Sequence, residues 1–290
     1  MPSPLCSSGA RSDGPSDAAT RACSRPPTGC GGLADPATVN ETVRVRVVQL
    51  LSVAALLVAW EAVARAGWVD PLFVPAPSAV ARALGRIGAA ALAGLGETLL
   101  KAAIAYVLAV VIGVGGGILL GSVRPLRQAV DPFVIALYGM PKILVLPWIM
   151  LFLGFGATPA VVYATIHGVF PILVLVTGAV RDVDATLVTV ARAFGARRWQ
   201  LYWKVVLPAI VPTVLAGMRL GVVFCLLGVL VVEMFAGLRG MGYVLSSLAN
   251  GFQAPELFAA TALVSAASIV IVLSLDALND RLSQWRGDLR

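Results

Sequence analysis

Three potentially cationic side chains, Lys142, His167 and Arg219, stand inside long apolar stretches of the sequence. An ionisable side chain is costly in hydrocarbon, so it tends to face an aqueous path or a partner. Each lies roughly nine or ten residues from the end of its stretch, about 13–15 Å at the helical rise and near the midplane of a bilayer. Three such groups at one depth predict a path for an anion. Alternatively, Lys142 and Arg219 satisfy neighbouring helices and carbonyls, and His167 is a neutral packed histidine.

Other reactive residue types give a weaker signal. Glu233, near the end of its apolar stretch, could gate a path or snorkel, whereas Glu97 and Lys101 stand one helical turn apart and are expected to pair. The four cysteines lack the spacing of metal ligands, and Cys225 stands alone in an apolar run. We therefore expect no metal, no cofactor and no catalytic residue.

The composition indicates which elements hold these residues. Hydrophobic residues make 59% of the 290 and charged residues 13%, against about 25% charged in a soluble domain. With a mean hydropathy of +0.89, much of the surface must face a bilayer. Charge-free runs predict an all-α polytopic membrane protein with about six spans, at about 45–64, 102–123, 132–153, 159–180, 209–236 and 257–276.

Proline, glycine and small polar residues divide the chain further. Residues 1–43 are rich in Ser, Gly and Pro and lack a signal-peptide core, so we expect a disordered cytoplasmic tail before the transmembrane domain 44–290. Three prolines in 71–77 exclude a continuous helix, and Ser78 is then a plausible N-cap for a short surface helix, about 78–90. Pro141 and Pro147 should break the third span. Gly113, Gly117 and Gly121 recur every four residues and predict one face of close helix packing.

The basic residues predict the orientation. With both termini in the cytoplasm, the inner side carries fifteen of the 22 basic residues and the outer side four, as the positive-inside rule prefers. The fifteen are Arg11, Arg21, Arg25, Arg44, Arg46, Arg124, Arg127, Arg181, Arg192, Arg197, Arg198, Lys204, Arg281, Arg286 and Arg290. This asymmetry accounts for the net charge of +7 without a nucleic-acid partner.

One polar segment, residues 181–208, is longer than a turn requires. Residues 184–194 have helical composition with apolar positions on one face, and Gly195 can end that helix as a left-handed C-cap. A helical pattern then resumes from Ala196 to Val206, before Leu207 and Pro208. We therefore predict a cytoplasmic helix–Gly–helix hairpin. It could lie on anionic lipid, which Trp199, Trp203 and the basic residues would suit, or dock a cytoplasmic protein.

The same segment resembles the EAA signature of permease subunits of binding-protein-dependent ABC importers. Ala191, Gly195 and Leu207-Pro208 keep the signature spacing, with Thr189 at its Glu position and Val190 at its first Ala. Residues 74–78, Pro141-Lys142 and 217–234 look like the nitrate/sulfonate/taurine branch of that family.

The resemblance implies a type I importer permease fold of about six helices in the bacterial inner membrane. It implies that the hairpin couples to a separate ATP-binding subunit through Thr189, Ala191, Arg192, Phe194, Gly195, Ala196, Leu207 and Pro208. It further implies a permease homodimer, two ATPase copies and a solute-binding protein at the outer face, near residues 237–256. The chain has no Gly-Lys pair and so no phosphate-binding loop of its own, which agrees with ATP hydrolysis on a partner.

The expected function is thus import of a small anionic solute such as nitrate, a sulfonate or taurine. A neutral or heterocyclic solute stays open, because the soluble binding protein fixes most of the selectivity in such systems. A membrane-embedded enzyme would need a catalytic constellation that a single histidine and no HExxH motif do not supply. A proton-coupled secondary carrier would typically show an intramembrane carboxylate relay and inverted repeats, which the sequence lacks.

Overall fold

The computed structural model describes residues 36–283, and over that range the chain is helical without a strand. The helices are α1 Pro36–Arg65, α2 Pro77–Ser122, α3 Arg124–Gly139, α4 Leu146–Leu153, α5 Ala157–Arg181, α6 Ala185–Ala193, α7 Arg198–Leu201, α8 Leu207–Ala236, α9 Met241–Asn250 and α10 Ala254–Ser283. Five helices in this range are long and apolar enough to cross a membrane, or six spans if the bent pair α3 and α4 counts as one. The prediction of an all-α polytopic protein is confirmed.

The described part of the chain divides into two units between Ala54 and Ala55. Residues 1–35 of the predicted tail lie outside the described residues. Residues 36–43 belong to α1, and the domain boundary at 43 stays a prediction. Proline suits the first turn of a helix, and no helix breaker follows Pro36 before the apolar run.

Helix α2 corrects the prediction of two separate elements. A single helix of 46 residues replaces the short surface helix 78–90 and the span 102–123. No proline interrupts residues 79–122, and the glycines there weaken a helix without ending it. Ser78 is not the N-cap, because Ala76 holds that position. Instead, the backbone N–H and hydroxyl of Ser78 donate to the Glu61 carboxylate at 3.0 and 2.8 Å.

The third span is broken, as its prolines predict. Helices α3 and α4 meet at 94° across Pro141 and a 3₁₀ turn over Lys142–Val145. Pro147 lies in the first turn of α4 and does not break it, because the missing N–H is unpaired there in any helix. The segment also begins at Arg124 rather than near 132. Gly154 and Gly156, both at positive φ, make the predicted turn into α5.

Helices α2 and α5 lie side by side in parallel. A Cβ added to Gly113 would lie 2.8 Å from the Ile172 Cβ, and one added to Gly117 would lie 2.7 Å from the Val176 Cβ. Gly121 faces Val180 in the same register. The absent side chains therefore let the α2 backbone approach the branched residues of α5 directly.

Helix α8 packs antiparallel to α5 and completes the core. Gly168 and Gly228 contact Cys225 and Ala164 respectively, and Gly221 receives the Ile172 side chain. The buried residues between the three helices are small or branched: Ala102, Ala105, Ala109, Ala164, Ile172, Val176, Cys225, Leu226 and Val229. This three-helix core holds α2, α5 and α8 together, and the polar regions described next lie at its two ends.

Candidate functional site

A buried polar network ties the C-terminal end of α8 to α2. The Glu233 carboxylate, only 1% exposed, accepts hydrogen bonds from Thr98 Oγ1 at 2.6 Å, Lys101 Nζ at 2.8 Å and the Gly242 backbone N–H at 3.0 Å. Lys101 Nζ also donates to the Arg239 carbonyl at 3.2 Å. This network, Thr98–Lys101–Glu233 with the turn 237–242, is called the α8–α9 clasp below.

The clasp changes the interpretation of two sequence predictions. Lys101 stands 4.0 Å from Glu97 but 2.8 Å from Glu233, so its main partner lies 132 residues away. Burial also excludes a snorkelling Glu233. Sequence spacing alone could not find the long-range pair, because only the packing of α2 against α8 brings the two residues together.

Two of the three residues predicted as cations, Lys142 of the 3₁₀ turn and His167 of α5, lie in or against α5. Lys142 Nζ lies over the ring of Phe170 of α5, at 5.3 Å, and over Tyr138 at 5.1 Å. His167, one turn before Phe170, lies between the rings of Tyr163 and Phe224, each at 5.5 Å. Its Nδ1 is buried and has no hydrogen-bond partner among the described residues. Aromatic rings therefore frame the Lys142 ammonium and the His167 imidazole.

Arg219 lies apart from that pair. Its Nη2 contacts Asp276 Oδ2 of α10 at 3.2 Å, with the Arg219 side chain 52% exposed. Gly217 and Gly221, on either side of it, both face α5, so Arg219 lies on another face of α8. The structure thus does not bring the three cations together. The charge of Arg219 is balanced by Asp276, a carboxylate that the sequence analysis does not name.

The hairpin has well-defined helix ends. Asp184 caps α6 through its carboxylate, which accepts the Thr186 N–H at 2.7 Å; this hydrogen bond lowers the pKa of Asp184 below its ordinary value. At the other end, the N–H groups of Gly195 and Ala196 donate to the carbonyls of Arg192 and Ala191 at 2.9 and 3.0 Å. Gly195 has a φ of 75°, so the predicted left-handed cap is confirmed as a Schellman motif.

The second arm of the hairpin differs from the prediction. Gln200 Oε1 accepts the Arg197 N–H at 2.9 Å and begins α7, which continues through a π-helical segment, Tyr202–Val206, directly into α8. The arm therefore does not end at Leu207-Pro208, and no separate span begins at 209. Pro208 fits inside this helix because it lies in the first turn after the change of hydrogen-bond pattern.

The apolar side of the first arm is exposed. Phe194 is 87% exposed, and Leu187 and Val190 are about half exposed. Thr189, at the signature's Glu position, donates its hydroxyl to the Ala185 carbonyl at 2.8 Å and so keeps to its own helix. Rows of exposed apolar side chains of this kind mark interaction sites.

Long apolar helices, a broken span and an exposed basic hairpin are together typical of a polytopic helical membrane protein. The model of the family described as "Binding-protein-dependent transport system inner membrane component" matches residues 109–287. The chain belongs to this family, and it is a multi-pass inner-membrane transport component rather than an enzyme. The family prediction made from the EAA spacing is confirmed.

Individual relatives agree with this assignment. The chain is 27% identical over 246 residues to the taurine transport system permease protein TauC of Escherichia coli (strain K12), covering 82% of this chain and 90% of that protein. It is 30% identical over 165 residues to the riboflavin transport system permease protein RibX of Chloroflexus aurantiacus, covering 57% and 62%. A solved structure of the MetNI methionine ABC transporter, facing inward, has the same fold, with a TM-score of 0.59 at 22% identity over 69% of this chain and 97% of that one.

Proposed function

We propose that this permease couples an ATP-binding subunit to solute import through the hairpin at 181–208. The observation that carries the proposal is the exposed apolar face of α6, held at both ends by a complete N-cap and a Schellman motif. A surface that is rigid, apolar and rimmed by Arg192 and Arg197 suits docking into a protein groove. The residues proposed for this contact are Thr189, Ala191, Arg192, Phe194, Gly195 and Ala196, with Leu207 and Pro208 anchoring the second arm.

Orientation and assembly follow from the same proposal. The hairpin and the fifteen basic residues lie on the cytoplasmic side, and both termini with them. Two copies of the chain enclose the path, two ATP-binding subunits meet the hairpins, and a solute-binding protein approaches the opposite face near α9. ATP-driven closure of the subunits then moves the hairpins and alternates access to the path.

The test compares two exposed phenylalanines. Phe194→Ala removes the most exposed side chain of the apolar face, whereas Phe252→Ala removes a side chain 70% exposed in the turn between α9 and α10. We expect the ATP-binding subunit to copurify with the Phe252→Ala variant as with the wild type, and at least tenfold less with Phe194→Ala, since central apolar anchors dominate interfaces. Equal recovery with both variants contradicts the coupling role.

For the translocation path, we propose Lys142 and His167 as the residues that meet the solute. Lys142, which has no ion-pair partner within 36–283 and lies over two aromatic rings, suits a small anion, in line with the taurine permease relative. The rings of Tyr138, Phe170 and Phe224 equally favour a flat heterocycle, in line with the riboflavin permease relative. Arg219 is the weaker path candidate because Asp276 pairs with it, and Glu233 is the weaker one because the clasp encloses it.

Uptake assays separate these roles. Lys142→Ala should raise the apparent KM for the transported solute, whereas Arg219→Ala combined with Asp276→Ala should leave KM unchanged at equal membrane levels. Competition by taurine, nitrate and a neutral heterocycle then distinguishes the two solute classes. An unchanged KM in Lys142→Ala excludes that residue from the path.

A further inference from the structure

An apolar groove of about 490 Å³ separates the C-terminal end of α2 from the second arm of the hairpin. One wall is made by Gly115, Ile118 and Leu119 of α2, and the other by Trp199, Tyr202 and Trp203. The volume falls in the ~300–1,000 Å³ range of ligand sites. The groove is thus large enough for a ligand and almost wholly apolar along its length.

One polar group interrupts the apolar lining. Ser122 lines the groove, and its Oγ is buried without a hydrogen-bond partner among the residues that the structure describes. A buried hydroxyl left unpaired is costly, so an orphan of this kind points to a missing acceptor. Ser122 is the last residue of α2, which places that acceptor at the end of the groove.

Positive charge stands at the same end. Arg124 follows the lining residue Val123, and Lys204 follows the lining residue Trp203; both are exposed and neither has an ion-pair partner within 36–283. The carboxylates nearest in sequence do not line this groove: Asp131 and Asp182 stand against Arg127 and Arg181, and Asp184 caps α6. Along the groove, the lining therefore changes from apolar side chains to the Ser122 hydroxyl and then to the positive charges of Arg124 and Lys204.

From this arrangement we propose that the groove binds one anionic glycerophospholipid. Its acyl chain lies between α2 and the second hairpin arm, an ester carbonyl accepts the Ser122 hydroxyl, and its phosphate meets Arg124 and Lys204. Trp199 and Trp203, whose ring centroids are 5.2 Å apart, flank the chain in the manner of interfacial aromatic residues. A protein occupant suits the groove less well, because the exposed Phe194 face lies on the other arm.

The site also explains the place of the π-helical segment. Tyr202–Val206 forms part of the groove wall, and π-helical turns frequently mark functional sites. Among the described residues, the second arm is the only part of the hairpin that continues without a break into α8. A lipid bound beside the π-helical segment contacts this arm. Occupancy of the groove would therefore bias the position of the hairpin.

Native mass spectrometry of the full chain, released from nanodiscs of equal phosphatidylglycerol and phosphatidylcholine, tests the proposal. We expect one retained lipid, with phosphatidylglycerol preferred at least tenfold. Lys204→Gln and Arg124→Gln should each reduce that preference about fivefold, since each charge near an anionic headgroup contributes a comparable factor. Ser122→Ala should reduce retention of both lipids about fivefold.

A matched glycine pair controls for folding. A Cβ added to Gly115 meets open space in the groove, and one added to Gly88 meets open space near the other end of α2. Gly115→Leu should abolish lipid retention, whereas Gly88→Leu should keep it, with equal thermal midpoints for both. Retention by Gly115→Leu, or no preference between the two headgroups in the wild type, overturns the proposal.

Discussion

The α8–α9 clasp and the hairpin are both polar regions at helix ends, yet they differ in how their groups are satisfied. In the clasp, one carboxylate takes three donors, two from α2 and one from the first turn of α9, and that carboxylate belongs to a residue only 1% exposed. In the hairpin, hydrogen bonds remain within the segment itself, and the apolar side chain of Phe194 is 87% exposed. The clasp is complete within one chain, whereas the hairpin presents a surface that still requires a partner.

This difference teaches where substitutions should affect folding and where they should affect association. Removing a group from the clasp leaves a buried charge or donor unpaired, so the cost falls on the stability of the chain. Removing a side chain from the hairpin surface removes only what a partner would contact. Four substitutions test this difference between the clasp and the hairpin, from the largest expected loss of stability to the smallest.

Glu233→Ala should produce the largest loss. Lys101 is 13% exposed in its pairing with Glu233, and removing one partner of a buried pair costs about 3–5 kcal/mol. We expect a lower thermal midpoint and a lower amount of chain in the membrane. Glu97→Ala is the control, because Glu97 is 43% exposed and 4.0 Å from Lys101. Adding Lys101→Met to Glu233→Ala should restore part of the midpoint; equal stability of wild type and single variant would show that the clasp carries no folding energy.

Gly240→Ala should cost about 2–4 kcal/mol at the same region. Gly240 has a φ of 109°, which other residues rarely adopt, and an added Cβ would collide with the Glu233 carboxylate. The carboxylate cannot move aside without breaking its three hydrogen bonds. Thermal unfolding in detergent measures the loss, and a midpoint within one degree of wild type would mean that the turn relaxes freely.

Gly195→Ala in the hairpin should cost less, about 1–2 kcal/mol. Its φ of 75° carries the same left-handed penalty, but an added Cβ meets no atom within 4 Å. Hydrogen exchange should show faster exchange confined to α6 and the Gly195 turn, with an unchanged midpoint for the core. A global midpoint lowered as far as that of Gly240→Ala would erase the distinction between the two regions.

The smallest effect concerns the Asp184 cap and pH. Because its pKa is lowered in the folded chain, the cap stabilises α6 at pH values above the ordinary aspartate pKa, and this contribution is lost as the pH falls through the lowered value. We expect exchange at the Thr186 amide to accelerate in that acidic window in the wild type. Asp184→Asn should show no such window, since its amide does not titrate. A window of the same size in both proteins rules out Asp184 as its source.

Local signals in the sequence predicted most of the fold. Apolar runs located the membrane helices, and positive φ at Gly154, Gly156 and Gly195 followed from turn and cap chemistry. The errors fell where no local signal exists. Nothing between residues 90 and 102 shows whether α2 is one helix or two, and a proline after a π-helical segment looks the same as a proline that begins a new helix.

The polar sites were harder to predict for a related reason. The hairpin could be found because its residues are contiguous. The partners of Glu233 and Arg219 lie 132 and 57 residues away, on helices whose relative rotation the sequence does not specify. Depth in the membrane could be counted from the span ends, but the face on which each cation lies could not.

The glycine stripe of α2 has a mechanical consequence. Each of the three glycines holds a branched residue 59 positions later, so a slide of α2 along α5 by less than one turn would push Ile172, Val176 and Val180 against backbone. Only steps of about 5.4 Å, one full turn, restore the fit. The two helices therefore move together as one rigid body. In contrast, a Cβ added to Gly139, Gly154 or Gly156 of the bent α3–α4 segment meets no atom within 4 Å. This segment can therefore change its conformation more easily than the α2–α5 pair.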